Sequence, residues 1–237
     1  MEEKIVKFLK SISIFLVGMV ALEVAAIILD YSNFFSLFPN LSKNEENALF
    51  QLLVYGIGLA MILPLVGTIY LKEIIIDFKI SKNIKDGITL GIILILTTML
   101  YNLIAGFFML ETAPNENESA IRTLVNASPV IMGLAIIIIG PIYEEIVYRF
   151  GLFRTINNVN KPLAYIATAV IFGLIHFTVK NDPNEMINEL IQLHSYIISG
   201  LILAYAYDRN KSLSTSIIAH VINNTFAFIS AVMIGLS

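Results

Sequence analysis

Residues 123–149 read TLVNASPVIMGLAIIIIGPIYEEIVYR, an uncharged run that leads directly into two glutamates and an arginine. A helix needs about 20 mainly apolar residues to cross a hydrocarbon layer of about 30 Å. The uncharged part, 123–143, meets this requirement and is predicted to span a membrane. The charges that follow it occupy positions where the same helix can continue.

Six further runs satisfy the same criterion. With 123–143 included, the predicted spans are 11–29 (interrupted by Glu23), 48–71, 87–110, 123–143, 162–179, 190–207 and 212–237. The connections are too short to fold as separate domains, and the outer one, 111–126, is predicted to be solvated. The sequence therefore predicts an all-α, polytopic transmembrane bundle of about seven helices, with residues 1–237 forming one domain.

Composition supports this fold class. The chain is 57% hydrophobic and 14% charged, with a mean hydropathy of +0.80, whereas soluble domains have about 45–50% apolar and about 25% charged residues. An ordinary soluble enzyme is excluded. The absence of cysteine removes thiolate nucleophiles and thiolate metal ligands. The net charge of -3, without a basic block, argues against nucleic acid as a partner.

Basic residues indicate the orientation. Twelve of the 15 lysines and arginines fall in connections on one predicted side of the membrane. Because positive residues remain cytoplasmic, the N-terminus is predicted inside and the C-terminus outside. The Lys-, Asn- and Ile-rich composition is associated with a bacterial source, and the chain is expected in a bacterial cell membrane.

Ionisable groups within a bilayer cost at least about 2.5–3.5 kcal/mol each and therefore require an explanation. Glu145 and Arg149 are four residues apart, which places them on one helix face and allows an ion pair. Glu144 points about 100° away and is not neutralised by that contact. One carboxylate is thus predicted to be structural and the other free for chemistry. The alternative is that the cluster marks a solvated helix end.

Histidines and amides recur in later spans. His220 and Asn224 are four residues apart, so both can face the bundle interior, while His176 lies near the end of its span. Counting about 1.5 Å per residue from the cytoplasmic helix ends places Glu144, His176 and Asn224 at depths of about 17–21 Å, and His220 at about 12 Å. Singly, each is more typical of helix packing, but together they predict a shared polar layer.

Such a layer can hydrolyse a peptide bond without a covalent nucleophile. A buried carboxylate can act as general base towards water, and a histidine can orient that water. Two further donors, His220 and Asn224, can stabilise the oxyanion of a tetrahedral intermediate.

The order Glu144-Glu145-x-x-x-Arg149, Phe172-x-x-x-His176 and His220-x-x-x-Asn224 resembles the CPBP family. This family comprises the CAAX proteases and bacteriocin-processing enzymes and is also called the ABI family. The resemblance covers about residues 141–226 and implies an intramembrane glutamate-dependent protease. Residues 128–237 would then be its catalytic core, and residues 1–127 its N-terminal helices.

The resemblance also implies roles for single residues. Glu144 matches the water-activating glutamate, and His176 matches its partner. His220 and Asn224 match the oxyanion-stabilising pair, with Glu145 and Arg149 in support. No metal or cofactor is implied. The expected partners are the lipid bilayer and a membrane-associated peptide or protein substrate.

Two other classes remain open. Glu144, His176 and His220 form a possible zinc ligand set of the kind used by metalloproteases, although no H-E-x-x-H pair is present. A non-catalytic role is the second alternative, either as an immunity protein that binds a toxin or its receptor, or as a proton-coupled transporter with Glu23 and Glu144 as a relay.

Overall fold

The computed structural model describes residues 2–107 and 116–235, which form eight helices and no strand. A short 3-10 turn, Phe34–Leu37, follows the first helix. The helices are α1 (Glu2–Tyr31), α2 (Lys43–Asp77), α3 (Ser81–Ala105), α4 (Glu116–Ala127), α5 (Pro129–Asn157), α6 (Lys161–Leu174), α7 (Pro183–Asn210) and α8 (Leu213–Gly235).

Six helices are long and apolar enough to cross a membrane, which confirms the all-α polytopic class. They are Phe8–Tyr31, Lys43–Gly67, Ser81–Ala105, Pro129–Asn157, Pro183–Asn210 and Leu213–Met233. The last residues of the predicted span 87–110, namely 108–110, lie outside the described residues. The protein is an integral membrane protein.

The predicted span 162–179 is only partly helical. Helix α6 begins after Asn160, whose side chain accepts from the backbone N–H of Leu163 at 2.9 Å, and it ends at Leu174. Its 14 residues cover about 21 Å, less than the hydrocarbon thickness. The prediction extended too far because residues 175–179 contain no Asp, Glu, Lys or Arg but leave the helix in a turn. In place of the predicted seven or so spans, the described residues form six spans and one short apolar helix.

The predicted span 123–143 is displaced along the chain. Residues 123–127 belong to the short amphipathic helix α4, which also occupies most of the predicted loop 111–126. Ser128 leaves helical geometry, and Pro129 starts α5. Helix α5 then continues to Asn157, well past the charged residues. Glu144 consequently lies near the middle of its span, and the interpretation of the cluster as a solvated helix end is wrong.

Helix α5 is not a regular α-helix. Two π-helical segments, Leu134–Ile139 and Ile146–Phe153, flank an α-helical segment, Gly140–Glu145. Segments of π-helix widen the turn, change which carbonyls are bonded within the helix, and are common at functional sites. The charged residues occupy the junction between these segments.

Helix α5 is enclosed by its neighbours. Gly18 of α1 allows close approach, since a Cβ at this position would lie 2.4 Å from a methyl carbon of Val147. The main hydrophobic core surrounds this contact and includes Ile14, Val147 and Phe153. The packing explains how α5 can carry charged side chains at membrane depth, because they face protein rather than lipid.

Connections meet on two opposite ends of the bundle. On one end, Asn83 donates to Ser212 Oγ at 3.1 Å, and Arg209 pairs with Asp86 at 3.1 Å. On the other end, Lys180 pairs with Glu116. The predicted topology, in which successive connections lie on alternate sides of the membrane, requires the same grouping.

Candidate active site

Glu145 and Arg149 form the predicted ion pair. Arg149 Nε donates to Glu145 Oε2 at 3.1 Å, and both side chains are 0% exposed. The pair joins the α-helical segment of α5 to the π-helical segment that follows. A buried pair of this kind is costly to break, because either partner alone would be an uncompensated charge.

Arg149 also contacts an aromatic ring. Its guanidinium carbon lies 5.2 Å from the centre of the Phe172 ring. The terminal nitrogens Nη1 and Nη2 are buried and have no hydrogen-bond acceptor among the described residues. The guanidinium is thus held by one carboxylate and one ring face.

His220 bridges the two adjacent glutamates. Its Nδ1 lies 3.0 Å from Glu145 Oε1, and its Nε2 lies 3.8 Å from Glu144 Oε2. Because the Glu145 carboxylate accepts, Nδ1 is the donor in this contact, and Nε2 is turned towards Glu144. The second carboxylate oxygen of Glu145 binds Arg149, so Glu145 is saturated from both sides.

Glu144 has a different environment from its neighbour. Its Oε1 accepts a hydrogen bond from the Tyr55 hydroxyl at 3.2 Å, and the residue is 8% exposed. No cation of the described residues lies within ion-pair distance of it except the His220 imidazole. Glu144 therefore keeps acceptor capacity that Glu145 has already used, as the 100° rotation between them predicted.

His176 lies beyond the end of α6, in the turn that follows Leu174, and not within a membrane-spanning helix. Its Nδ1 lies 2.8 Å from the carbonyl oxygen of Phe172, and its ring stacks on Tyr196 with centres 4.4 Å apart. Phe172 contacts both imidazoles, with ring-centre distances of 5.0 Å to His176 and 5.9 Å to His220. His176 thus borders the glutamate cluster through Phe172.

Asn224 reaches the π-helical part of α5. Its amide nitrogen donates to the carbonyl oxygen of Ile136 at 2.8 Å, and its oxygen accepts from Asn223 at 3.2 Å. An amide nitrogen carries two N–H donors, so one of them remains for another acceptor. The structure therefore assigns Asn224 one packing bond, in addition to any chemical role.

Tyr55 is the site residue that the sequence did not reveal. It comes from α2, far from the charged motifs, and its ring also contacts Tyr143 with centres 6.0 Å apart. The available signal was a tyrosine within an apolar span, because a buried phenol requires a hydrogen-bond partner. Spacing alone could not identify that partner, which is 89 residues away.

Glu23 does not belong to the site. Its side chain is exposed on α1 and neither packs between helices nor faces the glutamate cluster. A relay from Glu23 to Glu144 finds no support in this position.

No group of three or more His, Asp or Glu residues within 2–107 and 116–235 is arranged to hold a metal ion. Glu144, His176 and His220, the zinc set left open by the sequence, do not form such a group.

Fold and site together define an integral membrane protein whose central helix carries a buried carboxylate cluster. Residues 126–226, which contain every predicted site residue, match the family described as "Type II CAAX prenyl endopeptidase Rce1-like". This match supports the CPBP/CAAX protease family that the motifs indicated. Tyr55 lies outside the matched residues.

A curated relative agrees with this family. The chain is 33% identical over 116 residues to a protein of Bacillus subtilis (strain 168) named "Putative membrane peptidase YdiL". The matched segment is 48% of this chain and 43% of the relative, so the chain covers less than half of the relative's length. No solved structure matches the chain significantly.

Proposed function

We propose that the protein is an intramembrane endopeptidase in which Glu144 activates a water molecule to hydrolyse a peptide bond. The observation that carries the proposal is the division between adjacent carboxylates. Glu145 is saturated by Arg149 and His220, whereas Glu144 retains free acceptor capacity beside an imidazole nitrogen. A general base needs a carboxylate that is not already neutralised.

The proposed reaction begins with Glu144 taking a proton from water while the water oxygen attacks the scissile carbonyl. His220, whose orientation is set by Glu145, presents Nε2 to the reacting centre and in its imidazolium form donates to the oxyanion. The free N–H of Asn224 supplies a second donor. Glu144 then returns the proton to the leaving amine, so atoms and charges balance.

Two neighbouring groups complete the proposed site. Tyr55 donates to Glu144 Oε1 and thereby fixes which carboxylate oxygen faces the water. His176 borders the site and is proposed to orient the water or the substrate. Glu145 and Arg149 support the geometry without touching the substrate.

The wider assignment follows from the same proposal. Residues 128–237 are the proposed catalytic core, and residues 1–127 are the proposed N-terminal part. The substrate is a membrane-associated peptide or protein. The composition supports a bacterial cell membrane as the proposed location, and the distribution of basic residues supports a cytoplasmic N-terminus and an external C-terminus.

The test is cleavage profiling with a library of membrane peptides in detergent. Wild-type protein should yield discrete cleavage products, and Glu144→Gln should yield none while remaining folded. Glu185→Gln is the matched control, because Glu185 is an exposed carboxylate on the outer part of α7. Absence of cleavage by every preparation would favour the non-catalytic alternative.

Metal independence is proposed as part of the same mechanism. Protein treated with a chelator should retain its cleavage rate in metal-free buffer. Loss of the rate, with recovery on stoichiometric zinc, would contradict the proposed mechanism and support the zinc alternative.

A further inference from the structure

A cavity of about 300 Å³ lies apart from the glutamate cluster. It opens between the last turns of α2, the end of α5 and the connection from α7 to α8. Tyr70, Ile74 and Asp77 line one wall, and Phe150 and Arg154 line another. The proposed reaction uses none of these residues.

Arg154 is held by aromatic rings and not by a carboxylate. Its guanidinium carbon lies 5.1 Å from the centre of the Tyr70 ring and 4.7 Å from that of Phe150. Among the described residues it has no ion pair and no side-chain hydrogen bond. The rings position the planar guanidinium while leaving its donors for an oxyanion, the ligand for which arginine is best suited.

Two other charged side chains line the cavity, Lys211 and Asp77. Lys211 lines the cavity, but its ammonium is paired with Asp208. The Asp77 carboxylate accepts no hydrogen bond from the described residues, although the Asp77 backbone carbonyl accepts from Asn83 at 3.2 Å. One unpaired cation and one unpaired anion therefore face the same cavity.

The cavity lies at the edge of the membrane region. Helix α2 leaves helical geometry at Gly67, where φ is 74°, so residues 68–77 form a separate segment beyond the span Lys43–Gly67. Tyr70, Ile74 and Asp77 recur on one side of this segment, whereas Ile75 and Ile76 are 58% and 56% exposed. Exposed isoleucines beside an exposed lysine, Lys72, are typical of a helix at the lipid headgroup level.

We propose that this cavity binds the headgroup of a zwitterionic phospholipid of the phosphatidylethanolamine type. The phosphate accepts hydrogen bonds from Arg154, and the primary ammonium pairs with Asp77. Two opposite unpaired charges match the two charges of this headgroup, whereas a purely anionic headgroup would leave Asp77 unpaired. The site does not depend on the proposed peptidase activity.

The experiment measures the thermal unfolding midpoint of the purified full chain in detergent during titration with phosphatidylethanolamine. A ligand that binds the folded state raises the midpoint with increasing concentration and yields an apparent Kd. Phosphatidylcholine, whose ammonium has no N–H donor, and phosphatidylglycerol, which has no ammonium, are titrated in parallel. Inorganic phosphate tests whether a free anion suffices.

Two variants test the two charges. Arg154→Gln should weaken phosphatidylethanolamine binding at least about tenfold, the loss expected for a hydrogen bond to a charged group. Asp77→Asn should remove the preference for phosphatidylethanolamine over phosphatidylglycerol while leaving phosphatidylglycerol binding intact. Lys79→Gln, which removes an exposed charge on the same side, should change neither.

Two tryptophan substitutions test the same site if Arg154→Gln does not fold. Ile74→Trp should fill the cavity and abolish the lipid-dependent rise, whereas Ile75→Trp, on the exposed side, should not. The proposal is overturned if inorganic phosphate reproduces the rise, if all three lipids act equally, or if Ile74→Trp and Ile75→Trp respond alike. None of these outcomes bears on peptide cleavage, so the two proposals fail separately.

Discussion

Glu144 and Glu145 are consecutive residues on one helix and both face His220, yet their other partners differ. Glu145 is 0% exposed, paired with Arg149 and bonded to His220. Glu144 is 8% exposed and is bonded to the neutral hydroxyl of Tyr55. Neighbours in sequence thus become a structural carboxylate and an available one, because successive helical side chains point to different partners.

The surroundings of Glu145 and Arg149 also explain why these charges are tolerated at membrane depth. Arg149 compensates Glu145, and the protein packed around α5 keeps both from lipid. His220 links the two carboxylates, so a change at Glu145 is transmitted to the ring that faces Glu144. Three variants, and then a direct comparison of two, distinguish residues that stabilise the fold from residues that act in the reaction.

The largest effect on stability is expected for Glu145→Gln. The substitution leaves the buried Arg149 charge uncompensated, which costs about 3–5 kcal/mol of unfolding free energy. Chemical denaturation in detergent measures this loss. Glu145→Gln combined with Arg149→Met should recover much of it, because no buried charge is left unpaired. Wild-type stability in the single variant would contradict the structural role of Glu145.

Asn224→Ala tests the second oxyanion donor. If one amide N–H acts in the transition state, kcat per folded molecule should fall about 10²–10³-fold with little change in KM. Ser230→Ala is the matched control on the same helix, because its hydroxyl makes an exposed hydrogen bond to the Phe226 carbonyl of α8, and it should leave kcat unchanged. An unchanged kcat together with lower stability would restrict Asn224 to its bond with Ile136.

A smaller effect is expected for Tyr55→Phe. Removing the hydroxyl deletes the bond to Glu144, and we expect kcat to fall about tenfold, the equivalent of a typical hydrogen bond. Tyr143→Phe is the matched control, because the Tyr143 hydroxyl bonds the Gly18 carbonyl instead. That variant should lose stability and keep its kcat. Equal kcat values for both variants would remove Tyr55 from the site.

Much of this arrangement follows from local rules. The four-residue spacing predicted the Glu145–Arg149 pair, and the rotation between adjacent residues predicted the separate position of Glu144. Uncharged runs predicted the helical bundle. These features depend only on helix geometry and on the cost of charge in lipid.

What the sequence did not predict depends on contacts between distant segments. The Tyr55 bond to Glu144 joins α2 to α5, and the Asn224 bond to Ile136 depends on a π-helical turn that hydropathy does not reveal. The end of the predicted span 162–179 was also misplaced, because residues 175–179 contain no Asp, Glu, Lys or Arg but lie beyond the end of α6. His176 therefore lies in a turn, where contacts with Phe172 and Tyr196 fix its ring.

The division between the two carboxylates is tested most directly by comparing Glu144→Gln with Glu145→Gln in one preparation series. Both kcat per folded molecule and the unfolding midpoint are measured on a peptide that the wild type cleaves. We expect Glu144→Gln to lose cleavage by about 10²-fold or more at a nearly unchanged midpoint, and Glu145→Gln to show a clearly lower midpoint. Near-normal cleavage by folded Glu144→Gln, or the same profile for both variants, would contradict this division.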